Sequence, residues 1–449
     1  MGAFKAYDIR GIYNKDFNKT DVYKIGYYLP ELLKTNKILV GRDVRTSSPE
    51  LFEYLTNGIT DAGADVFDLG LATTPYVYWA TAKFNFAASV QITASHNSKE
   101  YNGMKISCTD AIPIGYDSGL NILEQRIKSN TPFPKETKGT IYGFDKKTEY
   151  ISFLKNYVSD YNNLKISIDC SNGMASLFIK KLLGDQPHYL FFDLDGTFPN
   201  HEANPLVEEN LIALKKHVLG NKSDVGIIFD GDADRVMFLD GNACFISPDL
   251  IIAVLAHYFY DKGIKDAVVL QDIRSSKSVC EYVSRFGYKM NTWRVGRAFA
   301  APKLKEIGGL FGGEYAGHYY FKDFFYSDSG ILACLMVLDV IAKMKTIGIS
   351  FSELIRNISP YHSSGEINFV IEQKKQAMDA VLHYFSSEEK SLSFMDFDGY
   401  RVDFKHWWFN IRPSNTEPYL RFIAEADTES MLKEILEKVN IILNPFIKS

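Results

Sequence analysis

Cysteine is scarce and badly placed for pairing. Five residues (Cys108, Cys170, Cys244, Cys280, Cys334) are scattered over 449, odd in number and without a C-x-x-C pair. That excludes a disulfide framework and a thiolate zinc site, and reads as reduced thiols in a cytosolic protein. A basic excess is missing too. Against 55 Asp and Glu stand 50 Lys and Arg, a formal net charge of −5, so no nucleic-acid partner is expected. A local basic pocket for a phosphorylated metabolite remains compatible with that balance. Long apolar runs are absent: LIIAVLAHYFY and GILACLMVLDVIAKM fall short of the ~20 residues that cross a bilayer. Both carry polar residues at helical spacing, so core helices and no membrane partner are expected. The opening MGAFKAYDIRG lacks an apolar h-region, and Ala6 stands where a myristoylation signal wants Ser or Thr. Neither a secretory signal nor a lipid anchor is expected, and the expected location is the cytoplasm.

What is present is a globular composition, 46% hydrophobic and 23% charged, on a chain long enough for roughly three domains. Three segments share a plan: KILVGRDVRTSSPELFEYLTNGITDAGADVFDLG (37–70), KISIDCSNGMASLFIKKLLGDQPHYLFFDLDG (165–196) and DAVVLQDIRSSKSVCEYVSRFGYKMNTWRVG (266–296). Each begins with a β-branched run and an Asp before a Ser-containing turn. An amphipathic helix of about four turns and a second strand follow. Ser48-Pro49 reads as N-cap and first helical residue. Asp43, Asp169 and Asp272 mark equivalent places, which implies three related α/β domains. The C-terminal part differs: GEINFVIEQ and residues 399–426 alternate like antiparallel strands, and helices are predicted at 373–386 and 428–442. The expected domains are 1–145, 146–241, 242–362 and, of α+β type, 363–449, the last following a hinge-like NISPYHSSGE.

Four short segments carry candidate chemistry, one per domain. In QITASHNSKEYNGMKI (91–106) a strand runs into Ser95 and His96, a nucleophile beside a base. Asn102-Gly103 suggests a second tight turn before Lys105. A polar hairpin loop is the plainer reading. In DVGIIFDGDADRVMFLD (224–240) two apolar strands flank Asp230, Asp232 and Asp234. Carboxylates at i, i+2 and i+4 can wrap one hard cation; uncompensated, they repel. An EF-hand would want Gly and Glu where Arg235 and Gly241 stand. GGEYAGHYYF (312–321) sets Glu314 four residues from His318, for a metal or for sugar hydroxyls. NIRPSNTEPYLRF (410–422) brackets Ser414, Asn415 and Thr416 between Arg412 and Arg421, a possible phosphate cradle; a Pro-bounded turn is the alternative.

TASHN, DGDADR, GEYAGH and RPSNTEP, in that order, together with AYDIRG and GRDVRTSSPEL, closely resemble the α-D-phosphohexomutase family, most of all its bacterial phosphomannomutase/phosphoglucomutase members. The resemblance covers essentially the whole chain. It implies three related mixed α/β domains plus a C-terminal α+β domain around a central cleft. By that resemblance Ser95 is the phosphoserine, and Asp230, Asp232 and Asp234 bind Mg²⁺ together with a phosphoserine oxygen. Glu314 and His318 recognise the sugar, and Arg412, Ser414, Asn415 and Thr416 hold the unreacting phosphate. Arg10, Lys105, Arg235 and Arg274 form the expected cationic lining. The implied reaction moves phosphate between O6 and O1 of a phosphorylated hexose, mannose favoured and glucose possible, through a 1,6-bisphosphosugar. A hexose 1,6-bisphosphate is the expected activator. Lys105 is favoured for proton transfer on the expectation that nearby cations lower its pKa, with Arg10 orienting phosphate.

The chain departs from the family at Ser98, usually Pro, and at Ala316, usually Ser in mannose-active members. It also carries Arg297 where the family usually has a His, and Ala301 in place of a downstream Lys. Arg297 is expected to contact a phosphate. Three alternatives stand beside the mutase. One is a phosphoglucosamine mutase, which Asn415 disfavours; another is a catalytically weak sugar-phosphate binding protein. The third is an aspartyl phosphatase using Asp193 of LFFDLDGTFPN (190–200), which the short distance to the acidic cluster disfavours.

Overall fold

The computed structural model describes residues 2–414 and 419–447. Asn415 and Thr416, expected in the phosphate cradle, lie outside the described residues.

Three mixed sheets repeat one plan. A central strand, Lys37–Arg42, Ile166–Asp169 or Val268–Asp272, pairs with a parallel strand on either side. On one side stand Asp65–Leu71, His188–Leu190 and Lys289–Trp293; on the other, Ala88–Ile92, Val225–Phe229 and Phe311–Gly313. From the latter the chain turns straight back into an antiparallel strand, Tyr101–Cys108, Val236–Asp240 or Tyr319–Phe321. Parallel neighbours demand crossovers, and the amphipathic segments supply them. The three aspartates are equivalent in geometry as well as in order. Each accepts the backbone N–H two residues on: Arg45 at 3.0 Å, Ser171 at 2.8 Å, Arg274 at 2.7 Å.

Several local expectations are corrected. Only the first crossover helix, Ser48–Asp61, has four turns. The second is a 3-10 turn at Met174–Leu177 and a five-residue helix, Ile179–Leu183, because Ser171 and Asn172 both adopt a φ of 51° and delay its start. The third, Lys277–Ser284, has eight residues. Ser48 lies inside its helix: Ser47 precedes it without a side-chain cap, and the Ser48 hydroxyl donates to Asp43 instead. Asn102-Gly103 is strand, not turn. A Cβ on Gly103 would lie 2.0 Å from the Ile9 carbonyl oxygen, so glycine there serves the close antiparallel approach of the strand Ile9–Ile12.

One apolar core runs through the first three domains, joining Leu39 and Trp79 to Ile168 and Phe229 and on to Val269 and Phe311. Helices Leu250–Asp261 and Gly330–Thr346 run through it, buried over most of their length as their apolar runs predict. No described helix is long and apolar enough to cross a membrane. The fourth domain closes its own core from Phe369, Val381, Phe409, Phe422 and Val439. Its antiparallel sheet packs on helices Lys374–Glu388 and Glu429–Leu443. Contacts with the third domain include Arg401 donating to the Ile273 and Ser275 carbonyls at 2.9 and 2.6 Å.

Candidate active site

The repeated plan decides where the functional side chains stand. In each of the first three domains the turn from the outer parallel strand into its antiparallel return carries a candidate segment: Ser95–His96, Asp230–Asp234, and Glu314–His318. In the fourth domain the candidate segment falls between two antiparallel strands, Trp407–Pro413 and Tyr419–Ala426.

Two of these turns meet face to face. Ser95, buried, donates its hydroxyl to Asp230 Oδ2 at 2.8 Å, and its Oγ lies 3.2 Å from His96 Nδ1. Burial and the charges of Arg235, Arg10 and Lys105 hold the His96 imidazole well below its ordinary range, so it is neutral. All three acidic-loop aspartates are fully buried. Burial and the charges of Asp232 and Asp234 push Asp230 well above the usual carboxylate range. Burial pushes Asp234 upward as well, but the charges of Lys105, His318 and Arg235 together leave that carboxyl low. Asp232 accepts from Thr74 Oγ1 and, at 2.7 Å, from Lys105 Nζ, which also donates to Asp234. Lys105 thus does not behave as expected. Burial lowers it, yet the two carboxylates it touches hold its ammonium above the ordinary range.

This cluster suits a hard divalent cation. One oxygen from each aspartate lies within 4.8 Å of the others. Asp232 Oδ1 and Asp234 Oδ1 are buried without a hydrogen-bond partner, a costly state for a carboxylate oxygen unless a cation compensates it.

Cations ring the aspartates. Arg10, opposite Gly103 in the antiparallel pair, reaches the serine loop through Asn97 Oδ1 at 2.8 Å and pairs with Asp8. Arg235 Nε donates to His318 Nε2 at 2.9 Å. The imidazole proton therefore sits on Nδ1, where it meets Asp328 Oδ2 at 2.6 Å. Glu314 accepts from the Gly296 N–H at 3.1 Å and the Tyr320 hydroxyl at 2.9 Å, and burial raises its pKa. Arg297 joins this group, but its described contacts are with protein. Nε pairs with Asp328 at 2.9 Å, one terminal nitrogen donates to the Ala111 carbonyl at 2.8 Å, and the guanidinium lies over Tyr78 at 3.6 Å.

Arg274, Arg412 and Arg421 form a second group at the edge of the fourth domain. Arg274 grips Asp272, whose Oδ2 also accepts the Tyr315 N–H of the Glu314–His318 segment at 2.8 Å. Glu366 joins Arg274 at 3.2 Å to Arg421 at 2.6 Å. Asp398 takes Arg412 Nε at 3.1 Å, and the Ser414 N–H donates to the Tyr419 carbonyl at 2.9 Å.

Sequence reasoning missed Thr74, Asp328 and Glu366. Each lies in an unremarkable local context and finds its partner through the fold. Asp193 stands apart. It is exposed, and its carbonyl accepts from Asn172 Nδ2 at 2.9 Å.

Comparison with known proteins gives the same answer over the whole length. Residues 1–132, 148–243 and 247–361 match the phosphoglucomutase/phosphomannomutase alpha/beta/alpha domains I, II and III, and 366–441 match the C-terminal domain. Phosphohexose mutases of Xanthomonas campestris pv. campestris (strain B100) are 34% identical over 440 residues, covering 97% of each chain. A phosphomannomutase of Methanocaldococcus jannaschii is 34% identical over 447 residues, 98% of this chain and 97% of that one. A solved phosphoglucomutase/phosphomannomutase family protein from Burkholderia thailandensis superposes with a TM-score of 0.87 at 26% identity, over 99% of this chain and 97% of its own. A buried hydroxyl against an acidic triad, on a scaffold shared end to end with these enzymes, leaves one conclusion. The chain belongs to the phosphoglucomutase/phosphomannomutase family, and it is an isomerase that moves phosphate within a hexose phosphate.

Proposed function

We propose that the protein interconverts hexose 6-phosphate and hexose 1-phosphate, mannose favoured and glucose accepted, with Ser95 as the phosphoryl carrier. The observation that carries this reading is the Ser95 hydroxyl 2.8 Å from Asp230 inside a ring of cations. The working units proposed are 1–145, 146–241, 242–362 and 363–449.

The P–Oγ bond of phosphorylated Ser95 breaks as a P–O bond forms to the free sugar hydroxyl, giving the 1,6-bisphosphosugar. The sugar hydroxyl loses a proton and Ser95 Oγ gains one. Lys105, an ammonium held by both Asp232 and Asp234, is the residue we assign to that exchange: it gives a proton to the departing Ser95 Oγ, and the sugar hydroxyl proton takes its place on Nζ. The bisphosphosugar then presents its other phosphate, and the same exchange in reverse restores phosphoserine. Hexose 1,6-bisphosphate from outside would reload a chain that has lost its phosphate, which makes it the activator.

Phosphoryl transfer asks little covalent help and much alignment and charge neutralisation. Arg10, Arg235 and Arg274 supply positive charge in fixed forks. Glu314 and His318 face the sugar, and Arg412, Ser414, Asn415, Thr416 and Arg421 hold the distant phosphate. Arg297 takes its part through Asp328 and the wall formed by Tyr78. Asp230, Asp232 and Asp234, with Ser95 Oγ, would hold Mg²⁺, which supplies positive charge against the phosphoryl oxygens when bound.

The test is a substrate panel of mannose, glucose and glucosamine 1-phosphates with a trace of bisphosphosugar. Wild type and Asp193→Asn turn over the mannose compound fastest, while Ser95→Ala is inactive. Intact-mass measurement finds a phosphoryl group on wild type and none on Ser95→Ala. Turnover by Ser95→Ala, or loss of it in Asp193→Asn, sinks the proposal.

A further inference from the structure

We infer that the Asp-Gly-Thr-Phe-Pro-Asn segment at 195–200 is a positioning device for Ser95, acting through Arg45. The inference rests on the reading of Ser95 as phosphoryl carrier and assigns a task to a motif that reading leaves unused.

Arg45 has no exposed side-chain surface. One terminal nitrogen donates to the Ser95 and Asn97 carbonyls at 2.9 and 2.6 Å, the other to the Ser98 and Tyr101 carbonyls at 2.7 and 3.0 Å. Four carbonyls of the serine loop thus converge on one guanidinium. Its planar fork can serve them all at once, whereas an ammonium with three donors on a flexible stem cannot. Asp43 supplies the countercharge at 3.2 Å and is itself fixed by the Ser48 hydroxyl and the Arg45 N–H. Holding is needed, because Ser95 has a φ of 52°, a left-handed conformation unfavourable for a residue with a Cβ.

The segment reaches this guanidinium from the second domain. Gly196 bridges to the backbone of Arg45, and a Cβ there would lie 2.2 Å from the Val44 carbonyl oxygen. Two residues on, Phe198 sets its buried ring over the guanidinium, 5.0 Å from the centroid, a favourable face for a desolvated cation. The other side of the segment is tied towards the acidic loop. The Asp195 N–H donates to the Asn172 carbonyl at 3.0 Å, and Asn200 Nδ2 donates to Asn172 Oδ1 at 2.8 Å. From the same turn the Met174 N–H donates to the Gly231 carbonyl at 2.9 Å. A continuous chain of contacts therefore joins the backbone of the acidic loop to that of the serine loop. It fixes the separation of Ser95 Oγ and Asp230, on which transfer depends.

Steady-state kinetics on the full chain, with mannose 1-phosphate and a trace of bisphosphosugar, test this alongside thermal melts. Phe198→Leu is expected to lower kcat about tenfold and Arg45→Lys about a hundredfold, since small misplacements of a reacting group cost that much. KM should stay within about twofold, and Phe198→Tyr, which keeps the ring, should restore kcat to within about threefold. Should Arg45→Lys fail to fold, the Leu and Tyr pair at 198 decides. An unchanged kcat in Phe198→Leu overturns the inference, as does a rise in KM at constant kcat or a loss that merely follows the folded fraction. Ser95→Ala separates the two levels. If it is active, the carrier reading is wrong; if it is dead while Phe198→Leu is normal, only the positioning role is.

Discussion

At the scale of single residues, Asp328 decides what His318 can do. Its two oxygens face two donors, His318 Nδ1 at 2.6 Å and Arg297 Nε at 2.9 Å. With the proton drawn to Nδ1, the Nε2 lone pair is open to Arg235. In Asp328→Asn one oxygen becomes an N–H₂ group, and a donor then confronts a donor on one side or the other. If it faces His318, the imidazole proton moves to Nε2 and Arg235 loses its acceptor. An unsatisfied buried partner costs about 1–3 kcal/mol. We therefore expect kcat/KM to fall about tenfold to a hundredfold, measured at a temperature where melting shows the variant folded. A value within twofold of wild type would show that Arg235 is held by something other than this relay. Arg297 sits in the same circuit, accommodated by an acid and an aromatic face.

At the scale of elements, the reactive residues stand where they do because one turn is used three times. The repetition of that turn was not legible in the sequence, but its pieces were: a strand ending before Ser95, two apolar strands flanking the three aspartates, and a glycine-flanked loop carrying Glu314 and His318. The partners that fix them were not legible. Thr74 meets Asp232 across 158 residues, and Arg45 meets Ser95 across 50; no local pattern announces such pairs. Short-range chemistry also misled. Asn102-Gly103 has the composition of a turn, but its glycine answers to the neighbouring strand. Gly103→Ala would set a methyl 2.0 Å from the Ile9 carbonyl and force the strand Ile9–Ile12 outward, Arg10 with it. Such overpacking costs about 1–3 kcal/mol or more. Urea unfolding should show that loss, and the folded variant should show a raised KM for the phosphosugar because Arg10 has moved. Normal stability would mean that the two strands can part without harm.

At the scale of the whole molecule, one apolar core runs through the first three domains beside smaller cores of their own, and the fourth has its own. Beside one aromatic stack of Trp293 on Phe397 at 5.5 Å, contacts between the third and fourth domains such as those of Arg401 with the Ile273 and Ser275 carbonyls and of Glu366 with Arg274 are polar. Domains joined in this way move relative to one another more readily than domains fused by apolar packing. In the proposed reaction, presenting either phosphate of a bisphosphosugar to Ser95 calls for such freedom, with the distant phosphate kept in charge contact throughout. Glu366 bears directly on this. It holds Arg274 of the third domain and Arg421 of the fourth with one carboxylate, so a phosphate arriving between these guanidiniums competes with it. Ligand should then shift the balance between the domains. Solution scattering is expected to show a change in radius of gyration when hexose 1,6-bisphosphate is added to wild type. In Glu366→Gln the neutral amide weakens both ion pairs. The ligand-free dimensions should depart from those of wild type, while the ligand-bound dimensions coincide, because phosphate then supplies the bridging charge. Identical dimensions in all four samples would show a fourth domain fixed in place, and the bisphosphosugar would have to turn within a rigid cleft.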